Sequence, residues 1–185
     1  MVRAGVEAYL EAEPGMSVAA AVSTVAEAES ACEDLRPDVL VSDYHLPDGD
    51  GLSLCLRQDA AEGPPTVLFS AFADDHLVVL AAVAGAWAVV SKSADPDDLI
   101  EAIEDAARGR RARPATTPRA LRAAGRLIGP QDLPMLGMLM HGLAPEDIAR
   151  TLGVDRAGLG ERRRRMLRRL RGEPLQVASG AVREP

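Results

Sequence analysis

The sequence predicts an α/β domain built on a doubly wound parallel sheet, followed by a small all-α domain. Three observations predict it. Short apolar runs that end in polar residues (Val39–Val41 before Asp43, Thr66–Phe69 before Ser70, Ala88–Val90 before Ser91 and Lys92) alternate with helical patterns over the first 108 residues. Charge also divides the chain. Residues 1–107 carry 21 acids against four bases, and 108–185 carry 17 arginines against seven acids, so the net charge of −7 hides a basic second half. That half shows helical periodicity alone, with Leu133, Leu136 and Leu139 on one face.

The elements follow in order. Val2 to Leu10 has apolar residues near helical spacing, and Pro14-Gly15 stops it. Ser17 to Ser23 reads as a weak, Ala-rich strand. Thr24 can cap a helix running to Leu35, with Arg36-Pro37-Asp38 as the break. Val39 to Val41 lacks polar alternation, which suits a strand buried on both faces of a parallel sheet. A helix over Leu52–Ala60 ends at Glu62-Gly63-Pro64-Pro65. The Thr66 strand, a helix from Asp75 to Ala84, the Ala88 strand and a helix from Pro96 to Arg108 complete the alternation. Arg108 to Arg126 mixes Arg, Pro, Thr and Ala and reads as a linker, helical near Leu121. Pro130 then opens a helix that Gly142 stops. The resulting plan is a first domain over 1–108, a linker over 109–126, an all-α domain over 127–171 and a tail over 172–185 expected to be disordered.

Composition excludes several classes. Cys32 and Cys55 lie in helical patterns without metal-ligand spacing and read as core residues of a reduced cytoplasmic protein. No leader is expected from the opening residues, and the apolar run Leu77 to Val90 is too short for a membrane span. A basic half joined to an acidic one suggests contact with a polyanion; a solvated arginine-rich surface is the plainer alternative.

Asp43 sits at the carboxyl end of its strand, where ligands collect in open α/β sheets. On that stretch alone, an Asp that merely starts a turn fits equally well. The spacing goes further. Asp43, Pro47 four residues on and Gly51 eight residues on resemble the phosphoacceptor loop of the response-regulator receiver family, and Ser70 and Lys92 then end later strands in the order that the family requires. Lys92 is the only lysine in the chain.

The resemblance implies a flavodoxin-like receiver with Asp43 as phosphoacceptor, Ser70 and Lys92 as phosphate-signalling residues, and a sensor histidine kinase as partner. It also implies a departure. The family has five strands in order 2-1-3-4-5, and its first strand ends in an acidic pair that binds Mg2+. Met1 falls where the family is already inside its first helix, so that strand is expected to be missing from the middle of the sheet. Only Asp43 would then remain as a metal carboxylate, with Asp48 and Asp50 not expected to point back, and phosphorylation is expected to be poor or absent. The aromatic that the family often places three residues before the lysine is Val89 here, although Trp87 is expected to share its strand face.

Leu143 to Val154, with Ile148-Ala149 inside and Leu152-Gly153-Val154 at the end, looks like the first half of a helix-turn-helix. Ile128 to Leu170 resembles the LuxR-type domain, called NarL/FixJ when a receiver precedes it. Asp155 would cap the recognition helix, and Arg156, Arg162, Arg164, Arg165, Arg168 and Arg169 would meet DNA, with a homodimer implied. Gly158 and Gly160 depart from the family near the start of that helix. Arg163 interrupts the apolar stripe of Leu159, Met166, Leu167 and Leu170, where it must snorkel or weaken packing.

These residues favour a DNA-binding two-component regulator and no enzyme. The alternative is a degenerate, phosphorylation-independent receiver-like regulator or interaction module with weak DNA binding. A phosphatase that uses Asp43 as nucleophile would want an acid/base Asp two residues on, where His45 stands.

Overall fold

The computed structural model describes residues 2–112 and 116–172. Helix α1 (Val2–Ala12) leads into a turn that Gly15 closes at φ +88°. Helix α2 (Val25–Leu35) opens on the expected Thr24 cap, reinforced by a return contact from Glu27. Strand β1 (Leu40–Asp43) carries the chain to its carboxyl tip, and a two-residue hairpin, β2 (His45–Leu46) and β3 (Gly49–Asp50), turns it into α3 (Gly51–Ala60). Only glycine fits at position 51. A Cβ there would lie 2.3 Å from the Asp43 carbonyl oxygen.

Strand β4 (Thr66–Ser70), helix α4 (Asp75–Ala84), strand β5 (Ala88–Ser91) and helix α5 (Pro96–Ala107) follow within a residue of their predicted places. The sheet is parallel, in the order β1-β4-β5. Its register sets Asp43 opposite Phe69 and Ser70 opposite Ser91, so the polar strand tips stand side by side.

Ser17 to Ser23 forms no strand, contrary to the expectation from its sequence. A strand persists by pairing its backbone with a neighbour, and a weak Ala-rich segment has little side-chain packing to substitute for one. Among the described residues, β1 pairs on the β4 side alone. A cleft of about 1170 Å³, lined by Ala20, Val22, Leu40 and Val41 among others, separates the two segments.

Among the described residues the second half is helical: α6 (Pro118–Leu127), a 3₁₀ turn (Pro130–Asp132), α7 (Leu133–Met140), α8 (Pro145–Leu152) and α9 (Arg156–Leu170). Gly153, at φ +64°, ends α8, and Asp155 caps α9 by accepting from the Gly158 N–H at 2.7 Å. The halves share one hydrophobic cluster, in which Leu52, Leu80 and Val83 of the first join Ile148, Leu159 and Met166 of the second. The chain leaving α5 is pinned to the first half, with Ala112 N–H donating to the Trp87 carbonyl at 2.9 Å and the Arg111 guanidinium 4.9 Å over the Trp87 ring. The expected disorder after Gly172 concerns residues outside those described.

Candidate functional site

Asp43 ends β1, and Lys92 follows β5 two strands away. Their side chains meet: the Lys92 ammonium donates to Asp43 Oδ2. Main-chain contacts fix this geometry, because Lys92 N–H donates to the Ser70 carbonyl at 2.8 Å and locks the tips of β4 and β5 together. The other Asp43 oxygen accepts a long contact from His45 N–H at 3.4 Å. The Asp43 side chain keeps 38% exposure, so it can be reached from solvent. A carboxylate beside a fixed ammonium can act as a nucleophile toward phosphorus, with the cation offsetting part of the charge that gathers there.

Ser70 lies at the adjacent tip, but its hydroxyl faces elsewhere. It is buried, donates to the Phe72 carbonyl at 3.3 Å and accepts from Phe72 N–H at 3.2 Å. The register thus brings the three residues to one edge, whereas the hydrogen bonds join only Asp43 and Lys92.

The next two carboxylates point away from Asp43. Asp48 accepts from Val25 N–H at 2.7 Å and Ala26 N–H at 3.1 Å, and these bonds, Val25 foremost, hold it below the usual carboxylate range. Asp50 caps α3 through Ser53 N–H at 2.9 Å and accepts from Arg171 Nη2 at 2.6 Å. Burial pushes the Asp50 carboxyl up, but Arg171 and Ser53 outweigh it and leave it below its ordinary value. Among the described residues, no three His, Cys, Asp or Glu side chains converge as a metal site would require. Magnesium wants an octahedron of oxygens, usually with one or two carboxylates completed by water, and Asp43 is one such carboxylate.

The two residues considered for switching separate. Val89 packs on the cluster beside α4, whereas Trp87 belongs to the cluster of Val67, Val90 and Leu99. The expectation of a common face fails because Trp87 precedes β5, so strict alternation does not reach it.

In α9 the arginines sort into three sets. Arg164, Arg165 and Arg168 are on the outer side, where Glu161 pairs with Arg164 at 3.0 Å and lies 4.0 Å from Arg168. Arg165 is exposed and makes no ion pair among the described residues. Arg162 and Arg169 instead flank the buried Asp132, at 3.6 and 3.7 Å. Arg156 is held at the start of the helix by Glu146 at 2.7 Å, Glu62 at 3.0 Å and the Asp59 carbonyl at 2.8 Å. The predicted DNA-contacting set is therefore divided, and only its outer members stand together on an open face.

Arg163 neither snorkels nor loosens the stripe. It is 2% exposed, its Nη1 pairs with the Asp59 carboxylate, and its Nε donates to the Val83 carbonyl at 2.8 Å. Asp59 was not singled out from sequence, since nothing in an exposed-looking helix end announces a partner 104 residues away.

Three comparisons bear on this arrangement. The family model described as "Response regulator receiver domain" matches residues 1–104. The DNA-binding transcriptional activator DevR/DosR of Mycobacterium tuberculosis is 32% identical over 176 residues, covering 88% of this chain and 77% of its own length. The nitrate/nitrite response regulator NarL of Escherichia coli K12 is 27% identical over 188 residues, covering 92% and 85%. Among solved structures, a LuxR-family two-component response regulator from Aurantimonas sp. SI85-9A1 matches at TM-score 0.56 with 30% identity, covering 69% of this chain and 91% of that one. An RcsB–DNA complex matches in fold at TM-score 0.59 and 18% identity, covering 95% and 88%. DevR/DosR and NarL are regulators, and the chain is accordingly no enzyme. No helix among the described residues is long and apolar enough to cross a membrane. A receiver match over more than half of the chain, joined to these relatives along most of its length, places it among the two-component response regulators, in the group of the NarL/LuxR type.

Proposed function

We propose that this chain is a DNA-binding transcriptional regulator of a two-component system, with Asp43 as its phosphoacceptor residue and α9 as its DNA-facing helix. The observation that carries the reading is the Asp43–Lys92 pair at the tips of β1 and β5. A sensor histidine kinase is the natural donor. The Asp43 oxygen would attack phosphorus, the phosphorus–nitrogen bond would break, and the imidazole would take the electron pair. Lys92 is the cation placed to offset the charge that this step gathers.

The same neighbourhood supports a finer reading, in which the magnesium site is impaired and phosphorylation weak or absent. Asp48 and Asp50 are committed to the starts of α2 and α3, leaving Asp43 as the one carboxylate available there among the described residues. A receiver-like regulator that acts without phosphate is the second reading that this observation favours; a homodimer and a cytoplasmic location are proposed from the family resemblance alone. On either reading, Arg164, Arg165 and Arg168 supply contacts to DNA phosphates, while Gly158 and Gly160 offer little to base edges.

Selection of sites from a degenerate duplex pool by the full chain, then anisotropy of recovered and scrambled duplexes across salt, tests the proposal. The recovered site should bind at least about tenfold tighter than the scrambled one, and both affinities should fall with salt. Equal affinity for every duplex, or none at low salt, would refute it.

A further inference from the structure

The arginine-rich helix carries a second row of charge that the DNA reading does not use. Arg156, Arg163 and Arg171 recur at seven and eight residues, close to two helical turns apart. The first half presents three acids to meet them. Arg156 reaches Glu62 at 3.0 Å, Arg163 pairs with Asp59, and Arg171 reaches Asp50 at 2.6 and 3.2 Å. The order is reversed along the two segments, so α3 and α9 run antiparallel. Their spacings also agree: nine residues from Asp50 to Asp59 rise about 13.5 Å, and eight from Arg163 to Arg171 rise about 12 Å. Two straight helices can therefore close both ion pairs at once.

Three further observations make this contact part of the fold. Leu52 and Cys55 of α3 lie in one apolar cluster with Leu159, Met166 and Leu167 of α9. Asp59 also draws in Arg111 at 3.5 Å, which ties the linker to the same point. Gly85, at φ +90°, leaves the space that Arg163 fills, since a Cβ there would sit 2.2 Å from Arg163 Nη2. Separating the halves would strip a buried guanidinium of its carboxylate and expose apolar surface on both sides.

We propose that α3 is the permanent docking partner of α9, the row Glu62, Asp59 and Asp50 reading the row Arg156, Arg163 and Arg171, so that the two halves fold and open as one unit. The claim is independent of whether the outer face binds DNA. It assigns the inner arginine row to holding the chain together. It also ties the end of α9 to Asp50, which lies in the loop that follows the phosphoacceptor.

Amide hydrogen exchange by mass spectrometry on the full chain tests this. Peptides from α3 and from α9 should share one slow exchange rate, and Asp59→Ala should speed both by about a hundredfold or more. In an Arg163→Met background, the same change should have at least tenfold less effect, because only Arg111, which also rests on the Trp87 ring, then loses its carboxylate. Exchange of α9 more than tenfold faster than α3 in the unaltered chain, or acceleration confined to one helix, would overturn the proposal. Should Asp59→Ala not accumulate as folded protein, Arg171→Ala serves in its place. It should loosen the last turn of α9 and the first turn of α3 together, and loosening of α9 alone would overturn the proposal.

Discussion

Replacing Asp59 and replacing Arg163 should have very unequal costs, although the two residues form one ion pair. Arg163 is 2% exposed and its charge is met by the Asp59 carboxylate, with the Val83 carbonyl as a dipolar partner. Asp59→Ala leaves that guanidinium buried beside a carbonyl and brings Arg111, itself largely buried, into an uncompensated pair of cations. Removing one partner of a buried pair costs about 3–5 kcal/mol. Arg163→Met strands much less. Asp59 keeps Arg111 at 3.5 Å, and the methionine continues the stripe of Leu159, Met166, Leu167 and Leu170. It also removes Arg163 Nη2, a buried donor that has no hydrogen-bond partner among the described residues. The net change should lie within about 1 kcal/mol of zero, since apolar replacement of buried charge is often neutral. Urea unfolding followed by Trp87 fluorescence and by helical circular dichroism measures both. Asp59→Ala should lower the midpoint steeply, Arg163→Met slightly, and the two probes should coincide. Equal losses, or a helical transition that precedes the Trp87 transition, would refute the reasoning.

Four further outcomes follow from the same geometry. Gly85→Ala places a Cβ at φ +90°, costing about 1–2 kcal/mol from the backbone alone, and more in the presence of Arg163 than in Arg163→Met; equal losses in both backgrounds by urea unfolding would contradict the close approach. Asp50 has a folded pKa below its ordinary 3.8, so the stability it contributes is present above that pH and is lost as pH falls through the folded value. Arg171→Ala removes the main opposing influence to burial, raises that pKa and should move the acid-unfolding midpoint upward; an unchanged midpoint would count against the contact. The Cys55 thiol, which burial pushes up to about 12, should resist a thiol reagent at neutral pH until the chain unfolds, and rapid labelling of native protein would place it at the surface. Finally, Arg165→Ala should reduce the salt slope of DNA binding by about one unit, whereas Arg162→Ala, whose charge is turned to Asp132, should leave it nearly unchanged.

Much of this architecture is legible in the sequence because local rules and global fold agree. Thr24, Asp155 and Gly85 announce helix ends through chemistry that acts over three or four residues, and each is observed at its place. Asp43 and Lys92 are legible for a different reason. Each ends an apolar run, and parallel strands bring their carboxyl tips to one edge. The segment Ser17–Ser23 failed as a strand because pairing depends on a neighbour that its own residues do not specify. Ser70 was placed correctly along its strand, but the rotation of its hydroxyl toward Phe72 is set by the loop that follows. The arginines of α9 were the least legible. Their composition suggests a single phosphate-binding face, whereas Asp132, distant in sequence, turns Arg162 and Arg169 away from it, and Asp59 pairs with the Arg163 that the apolar stripe already held inside.

The most direct test concerns Asp43. The full chain is incubated with acetyl phosphate and magnesium, its intact mass is read, and Asp43→Asn serves as the control. The finer reading, an impaired magnesium site, predicts an unmodified mass, because Asp43 is the one carboxylate among the described residues left beside Lys92 to hold the metal that this transfer needs. A stable fraction heavier by one phosphoryl group, absent from Asp43→Asn, would contradict that reading and leave Asp43 a working phosphoacceptor.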